Sequence, residues 1–406
     1  MKLITTTAAL ALLAVSAPAF AQSQPAQSGG LVTHQPKLSS DAAKAILDLQ
    51  TAVSKNDSAS IPAKIAAAKA AAKTPDDRYA IGIMELKAAN ATKDQAGLAA
   101  GLQDMLNSGS VKPEEQIGLY DALAQTYTNL KQSDKAVDAY QHLLQLEPNS
   151  VDAVAGLAEA RIAAGQAAAA LPLLQQGIKM QEAGGQKAPE AWYKRAVSVA
   201  YDAQSPMALD LAREWVSAYP SADSWRNAIA IYRNLSHPDV EGTLDLLRLM
   251  QATGSMSTAG DYALFAESSA DQMNYNEAQA VIDAGIAAHA VDASNPQFRD
   301  IISGLKSKPK ATAADLEAAL KMSPTATNVL RIGDRYYGMG DYAKAAAVYR
   351  QVLGQPGVDA DVANLHLGMA LARAGDKAGA TAALNAVGGT RAAIAKFWLT
   401  YVQLHA

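Results

Sequence analysis

The sequence contains no cysteine, which excludes disulfides, zinc–thiolate centres, a cysteine nucleophile and a lipid-modified cysteine. Aromatic residues are 6% of the chain and phenylalanine occurs only four times. A single globular core for 406 residues would want more bulk than that. There is no basic block either: 35 Lys and Arg stand against 39 Asp and Glu, for a net charge of −4. Phosphate backbones are held by clustered Lys and Arg, so nucleic acid is not expected as a partner. Beyond the N-terminus, no apolar run escapes charge or Gly/Pro interruption for the roughly 20 residues that a bilayer span needs, and no integral membrane segment is expected.

What is present begins with Lys2, an apolar run from Ala8 to Val15, and the small-residue ending Ala19-Phe20-Ala21. Together these predict a cleavable secretory signal over residues 1–21 and a periplasmic protein that starts at Gln22. Loss of Lys2 takes the net charge from −4 to −5. Residues 22–38 read as a flexible polar linker.

Periodicity then decides the architecture. In residues 117–150, Tyr120, Leu123, Ala124 and Tyr127 fall on one helical face. A break at Ser133-Asp134 offers a cap, a second helix carries Ala136, Tyr140, Leu143 and Leu144 inward, and Pro148 stops it. Advancing by 34 residues lands on Val154, Leu157, Ala158, Ala170 and Leu174, each matching the character of its predecessor.

This pattern resembles the tetratricopeptide repeat, whose signature is W-x2-L-G-x2-Y, then A-x3-F, then Pro. The segment from Ala326 matches it with Val329, Ile332, Gly333 and Tyr336, the turn Gly340-Asp341-Tyr342, and Ala345 and Tyr349. The next unit has Leu367, Gly368, Leu371, Gly375-Asp376, Ala380 and Leu384. Weaker copies hold Trp192, Ala196, Ala208 and Pro220, then Trp225, Ile229 and Tyr232, then Tyr262, Phe265, Ala266, Tyr275, Ala278 and Ile282. The resemblance implies an all-α protein: an α-solenoid of stacked antiparallel helix pairs with roughly seven to nine repeats, some degenerate. The array runs over 39–290, a degenerate repeat or hinge occupies 291–325, and a C-terminal repeat pair with a capping helix fills 326–406. In that family the signature residues serve packing. Ala124, Gly333 and Gly368 are small where two helices cross, and Phe397, Trp398 and Tyr401 close the end of the stack.

Catalytic patterns do not assemble. The six histidines His34, His142, His237, His289, His366 and His405 never pair with a carboxylate at metal-helix spacing, and read as solvated or core residues. Ser303-x-x-Lys306 lacks the companion elements of serine enzymes of that type. Gly338-x-Gly340 lies in an inter-helix turn where glycine caps. Asp76-Asp77-Arg78 reads as solvated surface. Paired carboxylates need a shaped cleft that a repeat array does not predict. No enzyme activity, cofactor or metal is expected.

A superhelix of this kind leaves a concave wall lined by the first helix of each repeat. The helical period directs Asp121, Gln125 and Thr128, then Glu159, Tyr193 and Tyr201, then Arg226 and Arg233, then Glu267, and later Asp334 and Tyr337 toward it. Candidate partner-binding residues are therefore Asp121, Gln125, Glu159, Tyr193, Tyr201, Arg226, Arg233 and Tyr337. Chaperone-binding members of the family clamp a peptide carboxylate with Lys and Asn, but Asp121, Gln125 and Gly156 stand at the matching sites here, and the acidic Asp121 would repel it. The reading is a non-catalytic periplasmic scaffold for protein or peptide, with exopolysaccharide or envelope-glycan handling as the alternative. Partner identity and oligomeric state are left open. If the signal is processed as expected, intact-mass analysis of the exported protein will give a chain beginning at Gln22. A mass retaining residues 1–21 would refute it.

Overall fold

Alanine-rich stretches favour helix, and in this chain helices start where a polar side chain caps them. Ser39 accepts the Ala42 N–H. Thr74 and Asp77 bond reciprocally in a capping box, repeated at Thr258/Asp261 and Thr312/Asp315. Ends are set by left-handed residues such as Lys93, His237 and Gly375. Ser133, expected as a cap, is instead the first helical residue, and Gln132 precedes it without a side-chain bond.

The computed structural model describes residues 35–322 and 324–405. The secretory signal and nearly all of the linker expected from the sequence fall in residues 1–34, outside the described residues. The described residues are helical with no strand, and they divide into two compact units meeting between Ser205 and Pro206. That boundary falls inside the 39–290 stretch that the sequence reading carries through as one array.

In residues 35–205 the chain forms α1 (Ser40–Ser54), α2 (Ile61–Ala71), α3 (Pro75–Thr92), α4 (Gln95–Asn107), α5 (Pro113–Asn129), α6 (Ser133–Leu146), α7 (Val151–Ala163), α8 (Ala167–Ala183) and α9 (Glu190–Asp202). Helices α1–α2, α3–α4, α5–α6 and α7–α8 are antiparallel pairs, and each pair packs on the next, with α9 against α8. The core is continuous from Tyr79 to Ala160 across α3 to α7, as nearest-neighbour stacking requires. Gly156 shows why the crossing residues are small: a Cβ there would overlap the Tyr140 ring. Asp77 ties α1 to α3. It is fully buried and accepts from the Ser39 N–H (2.8 Å), the Ser39 hydroxyl (2.7 Å) and the N–H groups of Lys73 and Thr74 (3.0 Å each). Burial opposes its charge, but these bonds reverse that and leave the carboxyl well below the ordinary range. The expectation of a solvated Asp76-Asp77-Arg78 run fails at Asp77, because a capping carboxylate is buried by the helix start it satisfies.

Residues 206–405 form α10 (Met207–Ala218), α11 (Ala222–Ser236), α12 (Val240–Ala252), α13 (Ala259–Asp271), α14 (Tyr275–Ala287), α15 (Pro296–Lys306), α16 (Ala313–Lys321), α17 (Ala326–Gly338), α18 (Tyr342–Val352), α19 (Ala360–Ala374), α20 (Lys377–Asn385) and, after a short 3-10 turn, α21 (Ala392–Leu404). Helices α13–α14, α17–α18 and α19–α20 are hairpins. In the last two, Gly333 faces the Tyr349 ring and Gly368 faces Leu384, so closely that a Cβ on either glycine would overlap its neighbour. Helix α14 packs directly on α17, while α15 packs on α13 and α14 and α16 on α17. The irregular segment 291–325 is thus a pair of short helices beside the α14–α17 junction.

Two features depart from an open stack. Helix α21, expected to close one end, packs on α19 and α20 and also returns to α10 and α12, so the unit closes on itself. Tyr232 of α11 meets Phe397 of α21 edge-to-face at 6.0 Å, and both aromatic residues Phe397 and Trp398 are wholly buried. Helix α12 is buried at Leu244, Asp245, Leu246, Leu247, Arg248, Leu249 and Met250 without interruption, so it has no solvent face along its middle. Replacing Gly333 with valine should lower stability by about 1–3 kcal/mol through overpacking against Tyr349, read as a fall in the thermal midpoint. An unchanged midpoint would mean that the hairpin crossing is looser than described.

Candidate functional site

Along α5, the Asp121 carboxylate accepts two hydrogen bonds from Gln125 Nε2, both at 3.0 Å, so this expected pair is brought together. Burial, with a smaller contribution from Asp152, holds the Asp121 carboxyl above its usual range against the Gln125 bond. Beside it, between α5, α6 and α7, lies a recess of about 210 Å³ whose polar lining includes Asp121, Glu147, Ser150 and Asp152. Glu159 on α7 is engaged elsewhere. Arg195 of α9 grips it through two bonds, Nε–Oε1 at 3.0 Å and Nη2–Oε2 at 2.8 Å, a bidentate geometry that fixes the two helices in register. Arg195 was not anticipated as a partner.

Tyr193 and Tyr201, expected side by side on an open wall, have different surroundings. Tyr193 is 2% exposed and its hydroxyl bonds Glu182 in the last turn of α8, whereas Tyr201 is half-buried. The expectation for Tyr193 is corrected: the end of the long helix α8 engages it.

In residues 206–405, Arg226 and Arg233 do share a side of α11. Arg226 Nη1 pairs with Asp261 at 2.6 Å, and the same carboxylate acts on half-buried Arg233. Tyr337 is corrected as well. It is 4% exposed, with the Arg248 guanidinium 4.9 Å from its ring centre and Tyr342 at 5.0 Å. Helix α12, through Arg248, covers this ring.

The charges carried by α12 create a buried polar centre. Arg248 is 1% exposed and makes a two-pronged pair with Glu277 of α14, at 2.8 and 3.0 Å. Glu277 also accepts from Ser269 at 3.1 Å and Asn274 at 3.0 Å. His366 of α19, 2% exposed, lies between two carboxylates: Nε2 is 3.2 Å from Asp245 of α12 and Nδ1 is 3.0 Å from Asp334 of α17. The ring meets both at ion-pair distance but out of line for hydrogen bonds. Tyr349 donates to Asp334 at 2.7 Å. Burial alone would push His366 toward the neutral form, yet the two carboxylates outweigh it and raise its pKa to about 10. Asp334 is held down to about 2: burial opposes its charge, and His366, Arg248 and the Tyr349 hydroxyl overcome that. His366 is therefore an imidazolium at neutral pH. The cavity against Arg248, Asn274, Asp334 and His366 measures only about 20 Å³, close to the size of one water, so this is a packed junction. No group of three or more His, Asp or Glu among the described residues has the geometry to hold a metal ion.

Sequence spacing gave no hint of Asp245, Glu277 or His366 as partners, because they sit on helices far apart in the chain. One signal was available: in VEGTLDLLRLMQA only two charges interrupt leucines distributed around the whole helix, and a helix apolar on all sides is a buried one.

Residues 123–183 match the family model for the tetratricopeptide repeat, a span from α5 to the end of α8. That stretch is thus of the tetratricopeptide-repeat type, a repeat whose helix pairs generally serve as protein-interaction scaffolds. Among solved structures the protein is similar to a chain in the structure of Naa15/Naa10 bound to HypK-THB, at 13% identity and a TM-score of 0.38, covering 87% of this chain and 58% of that one. It is also similar to the pentatricopeptide repeat protein PPR10 from maize, at 11% identity and a TM-score of 0.25, covering 89% and 57%. The chain thus spans under two thirds of the length of both. No curated protein matches it.

The His366 assignment fixes a pH dependence. A histidine raised from 6.5 to about 10 on folding adds stability that is complete below the unfolded value and lost as pH climbs through the folded one. The stability difference between the wild type and His366→Gln should therefore shrink from pH 7 to pH 10 in urea titrations. A difference that is constant over that range would show the ring to be neutral.

Proposed function

We propose that this protein is a non-catalytic periplasmic scaffold that captures a protein or peptide partner on residues 35–205. The carrying observation is the tetratricopeptide match at 123–183, on stacked pairs whose first helices leave Asp121, Gln125 and Glu159 within reach of solvent. The recess beside Asp121, with exposed Glu147 and Asp152 at its rim, suits a segment bearing lysine, arginine or other hydrogen-bond donors. Its single aromatic ring, Tyr140, is buried. A sugar would find no exposed ring to stack on in that recess, which favours peptide over glycan. Among the described residues no helix is long and apolar enough to cross a membrane. The periplasmic placement rests on the N-terminal signal pattern.

The test is affinity capture from an envelope extract with the wild-type chain and with Asp121→Asn/Asp152→Asn, read by quantitative mass spectrometry. Loss of two charges from a desolvated contact should weaken recovery of the principal partner by about tenfold or more, with the thermal midpoint nearly unchanged. Equal recovery by both chains removes the recess from the binding surface, and the absence of any protein enriched over a control removes the scaffold reading.

A further inference from the structure

Helix α2 rests lightly on its neighbours. Only Ile61 and Ala68 of its 11 residues are buried, and a recess of about 260 Å³ between it, α3 and α4 is lined by Lys69, Ala72, Arg78, Ile81, Asp104 and Asn107. Across that recess one ammonium serves two carboxylates: Lys69 Nζ lies 2.6 Å from Glu85 of α3 and 2.5 Å from Asp104 of α4. One negative charge is therefore in excess, and Glu85 is the member cut off from water. It is 7% exposed, its Oε2 meets no hydrogen-bond donor, and it shares a face of α3 with Ile81 and Ala88, which pack into the core of the α1–α2 hairpin. The charges that act on Glu85 are Lys69 from α2 and Asp104 from α4. On α1, which also packs on α3, Asp41 pairs with Lys73 while Lys44 and Asp48 are exposed; on α3 itself, Arg78 donates to the Ser108 carbonyl at 3.0 Å and Lys87 is exposed. Burial, helped by Asp104, pushes the Glu85 carboxyl up to about 7 against the pull of Lys69.

Both ends of the α1–α2 hairpin are pinned at one point. Asp77 holds Ser39 before α1 and the Lys73 and Thr74 N–H groups after α2, and its carboxyl stays ionised far below neutral pH. From this geometry we infer that the α1–α2 hairpin is a lid hinged at Asp77, with Glu85 as its proton-sensitive catch. A protonated Glu85 lets the hairpin close over α3, because it adds no second negative charge beside Asp104. Loss of the proton leaves one carboxylate buried against another, and swinging the hairpin away hydrates both and uncovers Ile81 and Ala88. A carboxyl raised from 4.5 to about 7 by closure favours the closed form in full below the lower value, and that advantage is lost as pH climbs through the higher one. Opening therefore increases with pH across neutrality. The lid is separate from the recess beside Asp121, and neither reading depends on the other.

Native-state hydrogen exchange on the full chain reads the opening directly. After correction for the intrinsic pH dependence of exchange, protection in α1 and α2 should fall about tenfold or more between pH 5.5 and pH 8.5, while protection in α5 and α6 stays level. Glu85→Gln keeps the shape of the side chain and removes its titration, so protection of its hairpin should not vary with pH. Asp104→Asn leaves Lys69 to Glu85 alone and should move the fall to lower pH. Wild-type protection of the hairpin that is constant, that falls in step with α5 and α6, or that falls equally in Glu85→Gln overturns the inference, as does a fall unmoved by Asp104→Asn. Should either variant fail to fold, carbon-13 NMR of the Glu85 carboxyl in the wild type takes its place: a midpoint near 7 is expected, and one near 4.5 overturns the catch.

Discussion

Residues 206–405 depend on a single matched burial of charge. Arg248 and Asp245 enter a largely apolar interior, and Glu277, Asp334 and His366 meet them there. An unpartnered charge in such a place is costly, so the five groups permit only one placement of α12 relative to the hairpins around it. The buried leucines contribute more free energy, at about 1.5–3 kcal/mol each, but they are non-directional and would tolerate a sliding or rotated helix. The ions supply register and the leucines supply affinity.

Closure of the unit follows from that placement. With α12 inside, its N-terminal end lies where Arg391, just before α21, can pair with Asp239 at 2.8 Å and Glu241 at 3.1 Å. Helix α21 then covers α10 and α12 as well as α19 and α20. In residues 35–205, ties such as Arg195–Glu159 and Asp77 with Ser39 link one helix pair to the next. Stacking there is a sequence of neighbour contacts, and the polar side chains of α5 and α7 remain available.

The helix pairs were legible because their period and their small crossing residues are local. Gly333 and Gly368 are small for the reason read from the signature, since Tyr349 and Leu384 occupy the space a Cβ would take. Residues sharing one side of a helix were legible where the pattern stays regular, as with Asp121 and Gln125 or Arg226 and Arg233. The pattern misplaced Tyr193 and Tyr337, because what covers a position depends on elements elsewhere in the chain: the end of α8 for the first, and α12 for the second.

By itself, the sequence determined an all-helical chain of paired, close-packed helices with tetratricopeptide-type spacing, because helix period, capping and steric fit are properties of adjacent residues. Tertiary structure alone decided that the array divides at 205/206, that 206–405 closes on itself, and that His366 is a buried cation between Asp245 and Asp334. Those outcomes depend on which distant helix supplies the opposite charge, and the charge of a side chain in one helix carries no information about where its partner lies along the chain.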